Sequence, residues 1–144
     1  MGHAPQTTDH SPLIGQPAPD AILPKTDGTS VSVISSRHGQ KAIIIFWATW
    51  CPHCYEDLGT VNAHIAQAEQ KGIKIILVDI GETKDVVKDY FQRRQMNLTS
   101  FVDEDSTLQG PYRLVGVPTL FFIDEKGLIR NVKHAFPSDY QNFF

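Results

Sequence analysis

The sequence predicts an α/β fold with a mixed central β-sheet flanked by helices, and three observations support this prediction. The runs 42–48 and 73–80 are apolar and rich in β-branched residues, as strands buried on both faces require. Each run is followed by a segment with helical spacing of apolar residues, and the strand–helix–strand order implies parallel crossovers. The last two predicted strands are joined by Asp124-Glu125-Lys126-Gly127, a turn-rich linker suited to an antiparallel hairpin.

The composition indicates one globular domain. The chain has 144 residues, of which 41% are hydrophobic and 20% charged, so it can bury a core of its own. We expect a flexible polar tail over residues 1–14 and the domain over residues 15–144. The net charge of −3, without a long basic run, disfavours binding to nucleic acid or to an anionic membrane surface.

The hydropathy of the chain bears on its location. No stretch approaches the ~20 apolar residues of a membrane span, so we expect no stable membrane insertion. Residues 1–12 are polar and lack the hydrophobic region of a signal peptide. The residues alone therefore leave two alternatives open: a cytosolic protein, or one whose signal or anchor lies outside this sequence.

The first predicted element is an N-terminal β-hairpin. Asp27-Gly28 is a strong hairpin turn signal, and residues 29–34 alternate like a strand. The strand before the turn is a short segment that ends at Leu23.

The remaining elements follow in a regular order. Lys41–Trp47 is the first buried strand, and a helix begins at the cysteines and ends at Gly72. Ile73–Ile80 is the next buried strand, and Thr83 is the expected N-cap of a second helix. The later predicted strands are 101–103, 119–123 and 128–132.

The two cysteines of the chain stand three positions apart, in Cys51-Pro52-His53-Cys54, between a strand and an amphipathic helix. A bridge this short closes almost no loop and stabilises little through chain entropy, which indicates a chemical rather than a structural role. At a helix N-terminus, unpaired N–H groups and the macrodipole favour the reactive thiolate. We therefore expect Cys51 to be the exposed attacking thiol and Cys54 the inward thiol that resolves a mixed disulfide.

The neighbours of the cysteines have expected roles of their own. Pro52 suits the first helical turn because it has no N–H to leave unpaired. His53 would stabilise the thiolate electrostatically, which makes the disulfide a stronger oxidant. Trp50 is expected to form an apolar lip for the substrate, whereas Trp47 is expected to lie in the core.

These motifs together resemble a known family. The segment 47–54 (WATWCPHC) is similar to the active-site signature of the thioredoxin superfamily. The segment 116–124 (GVPTLFFID) resembles the cis-proline segment of the TlpA/ResA-like branch of that superfamily. The segment 15–20 (GQPAPD) and the Asp27-Gly28 hairpin resemble the N-terminal extension of the same branch. The resemblance covers residues 15–136.

The resemblance implies a thioredoxin fold and a thiol–disulfide oxidoreductase without a cofactor or a resident metal. Pro118 would be the cis-proline that faces the disulfide, and Val117 would offer its backbone to an extended substrate segment. The 38 residues from Ile80 to Pro118 suit the central insertion of this branch. The implied location is the periplasm or another space outside the cytoplasm, with protein thiols or disulfides as substrates and a membrane thiol reductant as partner.

Departures from the family pattern leave the direction of electron flow open. Thioredoxins have a buried Asp six positions before the first cysteine, where this chain has Ile45. The TlpA/ResA-like branch has a Glu six positions after it, where this chain has Asp57. We expect Asp57 either to accept the Cys54 proton as a general base or to be an ordinary first-turn acid. The Pro52-His53 dipeptide resembles oxidising DsbA-type disulfide donors, whereas its surroundings resemble reductases.

Two other functions remain alternatives at this point. The dithiol could hold copper(I), a soft ion that favours thiolates, although no further Met or His stands at a suitable spacing. A peroxidatic enzyme would need a different pattern around a lone reactive cysteine, which residues 48–51 do not supply.

Overall fold

The computed structural model describes residues 11–144, and in these residues the chain forms two sheets. A two-stranded sheet pairs β1 (Ile22–Pro24) with β2 (Ser30–Ser32). A five-stranded sheet has the order β5-β4-β3-β6-β7. Its strands are β3 (Lys41–Trp47), β4 (Ile73–Ile80), β5 (Phe101–Asp103), β6 (Thr119–Ile123) and β7 (Ile129–Lys133).

The pairing of the large sheet is mixed, as the sequence predicts. β4 is parallel to both β3 and β5, whereas β6 is antiparallel to β3 and β7. The helices α1 (Pro52–Gln70) and α2 (Lys84–Arg93) connect β3 to β4 and β4 to β5. The predicted order of a hairpin, alternating strands and helices, and a final hairpin is therefore confirmed.

The two faces of the large sheet are covered differently. Both helices contribute buried side chains to the same cluster, which also contains Trp47 and both cysteines. The opposite face carries a second cluster, in which the hairpin supplies Leu23 and the turn after β5 supplies Tyr112. The N-terminus of α1 and the two cysteines thus lie on the face of the sheet that the helices cover, at the carboxyl end of β3.

Two strands have bounds that differ from the sequence prediction. The second hairpin strand was expected over 29–34 but ends at Ser32. Asp20 explains the early end, because its carboxylate accepts hydrogen bonds from the Ser32 hydroxyl at 2.6 Å and from the Ile34 amide at 3.0 Å. The last strand begins at Ile129 rather than at residue 128, because Leu128 still belongs to the turn in which its amide donates to Asp124 Oδ1 at 3.0 Å.

Chain ends and helix ends also bear on the predictions. Residues 1–10 of the predicted tail lie outside the described residues, and residues 11–14 form a turn whose Leu13 packs against the second cluster. The Thr83 hydroxyl accepts a hydrogen bond from the Val86 amide, which confirms the predicted N-cap of α2. The helix α1 ends at Gln70, two residues before the predicted end at Gly72, whose φ of 75° is a conformation that glycine adopts without steric cost.

Candidate active site

The two cysteines lie at the N-terminus of α1. Cys51 is the N-cap residue with extended backbone, and Pro52 is the first helical residue, as the sequence predicts. The Cys54 amide donates a hydrogen bond to Cys51 Sγ at 3.2 Å. The two sulfur atoms are paired as a disulfide, with their Cα atoms 5.2 Å apart. The sulfur of Cys51 is thereby held at the positive end of the helix dipole.

The structure corrects one expectation about Cys51. The residue was expected to be exposed, but only 3% of its surface is accessible, against 1% for Cys54. Its sulfur is bonded to Cys54 on one side and lies 3.6 Å from the Val117 carbonyl oxygen on the other. These two neighbours account for the low exposure of Cys51.

The loop before β6 faces the disulfide. The Val117–Pro118 peptide bond is cis, and Pro118 is buried beside the half-buried Val117. The Thr119 hydroxyl donates to the Gly116 carbonyl at 2.7 Å and closes the turn. The fold therefore brings together two segments that are more than sixty residues apart in the sequence.

The two tryptophans beside the site have different environments. Trp50 is 70% exposed next to Cys51. Trp47 is fully buried, its ring stacks on Phe91, and its indole N–H donates to the Ser100 hydroxyl at 3.0 Å. The structure thus leaves Trp50 available for contact with a substrate and confirms that Trp47 belongs to the core.

The side chain of His53 is exposed to solvent. Its side chain is 83% exposed, and its Nδ1 lies 3.9 Å from a carboxylate oxygen of Glu56. Charges this exposed are strongly screened by water. The role of His53 in stabilising the Cys51 thiolate stays a prediction.

Asp57 lies on α1 one helical turn after Cys54 and is half-buried. Its Oδ2 accepts a hydrogen bond from the Phe136 amide at 3.2 Å. Burial raises the pKa of Asp57, the Phe136 hydrogen bond opposes the rise, and the neighbouring Glu56 adds to it. Residues three apart on a helix share a face, so Asp57 lies on the same face of α1 as Cys54. A raised pKa makes this carboxylate a stronger proton acceptor than an ordinary Asp.

The sequence prediction missed two acids near the site. Asp79 ends the buried part of β4 and is completely inaccessible. It pairs in register with Trp47, so its side chain lies on the face that carries the cysteines. Glu82 follows in the loop between β4 and α2, and its carboxylate binds the Thr49 amide. A lone acid in the apolar run 73–80 was the signal in the sequence that could have identified Asp79.

Away from the disulfide, the described residues form one large groove but no metal-binding group. In residues 11–144, no group of three or more His, Cys, Asp or Glu side chains is arranged to hold a metal ion. A groove of about 630 Å³ lies along the edge of β4, between the hairpin and residues 97–99. None of the residues that line this groove is a predicted site residue. Within the described part of the chain, the predicted site residues therefore lie at or beside the disulfide and not at this groove.

Comparisons with known proteins agree with this site. The model of the AhpC/TSA family matches residues 14–132. The sporulation thiol-disulfide oxidoreductase A of Bacillus subtilis (strain 168) is 30% identical over 123 residues, which cover 82% of this chain and 73% of that protein. A thiol-disulfide oxidoreductase ResA of Bacillus cereus is 27% identical over 116 residues, which cover 81% of this chain and 66% of the relative.

A solved structure supports the fold. The thioredoxin domain of a thiol-disulfide oxidoreductase from Bacteroides vulgatus superposes with a TM-score of 0.79 at 21% identity, over 92% of this chain and 95% of that one. The thioredoxin fold expected from the sequence is thereby confirmed.

Proposed function

The chain belongs to the AhpC/TSA family and carries the dithiol of a thiol–disulfide oxidoreductase, and from this premise we propose that it reduces disulfides of protein substrates outside the cytoplasm. The observation that carries the proposal is the Cys51–Cys54 pair at the N-terminus of α1, opposite the cis Val117–Pro118 bond. The similarity to relatives named ResA and sporulation thiol-disulfide oxidoreductase A supports this reaction class. The location rests on the TlpA/ResA-like resemblance. Neither helix in the described part of the chain is long and apolar enough to cross a membrane.

The reaction follows from the arrangement of the two sulfurs. In the reduced protein, the Cys51 thiolate attacks one sulfur of a substrate disulfide, and the substrate S–S bond breaks as a mixed disulfide forms. The leaving substrate thiolate takes a proton. Cys54 then loses its proton and attacks Cys51 Sγ, which releases the second substrate thiolate and leaves the Cys51–Cys54 disulfide. Two electrons pass from the protein to the substrate.

Asp57 is the proposed acceptor of the Cys54 proton. Cys54 is buried, so water reaches its thiol poorly, and a base on the same helix face removes this obstacle. Asp57 is held by the Phe136 amide and has a raised pKa because of burial. Trp50 and the backbone of Val117 are the proposed contacts of the substrate, because Trp50 is exposed beside Cys51 and the Val117 carbonyl oxygen lies 3.6 Å from the Cys51 sulfur.

The surroundings of the dithiol favour a reductase over a DsbA-like disulfide donor. A strong oxidant needs a stabilised Cys51 thiolate, and the exposed His53, beside the Glu56 carboxylate, supplies little of that stabilisation. We expect a reduction potential near that of thioredoxin, about −270 mV, rather than near that of DsbA, about −120 mV. A reductase must itself be reduced again, and a membrane thiol reductant is the proposed electron donor.

The test uses the fact that the chain has only two cysteines. With a disulfide-containing peptide as the probe, Cys51→Ser is expected to abolish thiol exchange. Cys54→Ser is expected to accumulate a mixed disulfide between Cys51 and the peptide, detected by mass spectrometry. Each variant keeps a single thiol, so each serves as the control for the other. Exchange that persists without Cys51 would contradict the assigned roles, and a potential near −120 mV would contradict the reductase assignment.

A further inference from the structure

The loop that leads into Cys51 is held by a single carboxylate from another part of the chain. The Thr49 amide donates to Glu82 Oε1 at 2.8 Å, and the Thr49 hydroxyl donates to Glu82 Oε2 at 2.5 Å. Thr49 is two residues before Cys51, whose own amide donates to the Ala48 carbonyl at 3.3 Å. Glu82 therefore binds the turn that sets where the N-cap of α1 begins.

A second carboxyl group, that of Asp79, lies next to Glu82. Asp79 is completely buried, and among the described residues neither of its oxygens accepts a hydrogen bond from an N–H or hydroxyl group. Burial raises the pKa of Asp79 to about 9, and the adjacent Glu82 contributes to the rise. A carboxyl group with this pKa would keep its proton at neutral pH and would have it to donate to the adjacent Glu82 carboxylate. Burial opposes ionisation of Glu82, but hydrogen bonds from Asp79 and Thr49 outweigh it and lower the pKa of Glu82.

Burial of the Asp79 carboxyl group lowers the free energy of unfolding, which indicates that the group has a function at this position. The other inward residues of β4, such as Ile75 and Leu77, are apolar and pack in the same cluster. A buried carboxyl group at the next inward position costs free energy unless it is hydrogen-bonded. An apolar side chain would fill the place of Asp79 at lower cost, but it would leave Glu82 without this donor.

We propose that Glu82 and Asp79 are positioning residues of the disulfide site: Glu82 holds Thr49 and thereby the start of α1 at Cys51, and Asp79 holds Glu82. The proposal rests on the proposed function, because the quantity that it sets is the reactivity of the Cys51–Cys54 dithiol. It also assigns a second effect to Glu82, whose negative charge beside the loop disfavours the Cys51 thiolate.

The groups around the pair determine how it responds to pH. Asp103 on β5 adds a further negative charge near Asp79. On α2, Tyr90 lies near Glu82, and the Arg94 guanidinium lies 4.1 Å from the centre of the Tyr90 ring. Burial raises the pKa of Tyr90 above its usual 10, so it titrates after Asp79. As the pH passes about 9, Asp79 ionises and repels Glu82, which weakens the hold on Thr49.

The first test separates the effect of the Thr49 hydroxyl group from the effect of the volume of the side chain. Thr49→Val removes one of the two hydrogen bonds to Glu82 with little change in volume, and Thr49→Ser keeps the hydroxyl. We expect Thr49→Val to slow exchange with the peptide disulfide about threefold or more and Thr49→Ser to restore it, since one hydrogen bond to a charged group is involved. Equal rates in the two variants would overturn the proposal.

The second test measures the equilibrium of the dithiol with glutathione. Glu82→Gln removes the charge, and we expect a shift of about threefold to tenfold toward the dithiol, where tenfold corresponds to about 30 mV. Asp85→Asn is the matched control, because it removes an equal charge from the exposed first turn of α2. The shift in Glu82→Gln combined with Thr49→Val should be less than additive if the two residues act as one unit. An equal shift in Asp85→Asn would overturn the proposal.

The third test observes Asp79 directly, in the oxidised protein, where neither cysteine titrates. Carboxyl carbon NMR should show Asp79 titrating near pH 9, together with a shift in the signal of Glu82. Asp79→Asn keeps a donor for Glu82 and should remove the shift of Glu82 near that pH. An Asp79 that ionises near pH 4 would overturn the proposal even if wild-type protein exchanges disulfides. A wild-type protein that exchanges no disulfides would instead contradict the proposed function.

Discussion

Two acids beside the disulfide, Asp57 and Asp79, share a raised pKa but differ in how completely they are buried. Asp57 is half-buried on α1 and is tied to the segment after β7 by the Phe136 amide. Asp79 is inaccessible on β4, and the adjacent Glu82 contributes to its raised pKa. A half-buried carboxylate can exchange its proton with a thiol and with solvent, whereas a fully buried one keeps its proton through the neutral range. This difference in burial is the basis on which we propose a chemical role for Asp57 and a positioning role for Asp79.

The largest expected effect is on the free energy of unfolding of Asp79→Asn. Its absence would contradict the comparison between Asp57 and Asp79. Unfolded chain loses the Asp79 proton near pH 4, and the native protein keeps it to about pH 9, so stability falls as the pH rises between these values. The slope approaches about 1.4 kcal/mol per pH unit. In Asp79→Asn neither state titrates at this position. We expect the variant to gain up to about 4 kcal/mol relative to wild type between pH 5 and pH 8, measured by urea unfolding of the oxidised protein.

The control for this prediction is the other acid. The pKa of Asp57 is also raised, so its contribution to stability has the same sign and is lost as the pH rises through its folded pKa. Because Asp57 is only half-buried, Asp57→Asn should change the pH dependence less than Asp79→Asn does. Parallel stability curves for wild type and Asp79→Asn from pH 5 to pH 8 would show that Asp79 is not held protonated.

The next effect is kinetic and concerns Asp57. Asp57→Asn should slow the step in which Cys54 resolves the mixed disulfide by about 10- to 100-fold at neutral pH, because general bases contribute effects of this size or larger. Rapid mixing of the reduced protein with the peptide disulfide, followed by acid quench, measures the lifetime of the mixed disulfide. Raising the pH should recover the rate, since hydroxide replaces the missing base.

Glu56→Gln is the matched control for this variant, because Glu56 carries the same charge at the adjacent position with a 78% exposed side chain. It should leave the lifetime of the mixed disulfide within about twofold, as exposed charges interact weakly. If Glu56→Gln and Asp57→Asn prolong the lifetime equally, Asp57 acts only as one charge among others and is not the base.

Much of the fold could be predicted from the sequence because local patterns and the fold agree. The bounds of β3 and β4 follow from their continuous apolar runs, and the N-cap of α2 follows from Thr83. The predicted ends of β2 and β7 were wrong by one or two residues. Both depend on side-chain hydrogen bonds, from Ser32 and Ile34 to Asp20 and from Leu128 to Asp124, which periodicity does not reveal.

The site was predictable only where its residues are neighbours in the sequence. Cys51 and Cys54 identify themselves by their spacing, but the burial of Cys51 arises from Val117, which is 66 residues away. Glu82 is 33 residues from Thr49, and no periodic pattern connects the two. A resemblance supplied the pairing of the cysteines with Pro118, whereas the Asp79–Glu82 pair needed coordinates.

The smallest expected effect sharpens the comparison by changing stability without touching either acid. Gly59 lies within α1, two residues after Asp57, and a Cβ at this position would meet no atom within 4 Å. Gly59→Ala should therefore stabilise the protein by about 1 kcal/mol through helix propensity. The gain should be the same at pH 5 and pH 8, and the equilibrium with glutathione should not move, because no charge and no hydrogen bond changes. A gain that varies with pH would mean that the stability of α1 itself is coupled to Asp57, and the effects of Asp57→Asn would then need to be measured in the Gly59→Ala background.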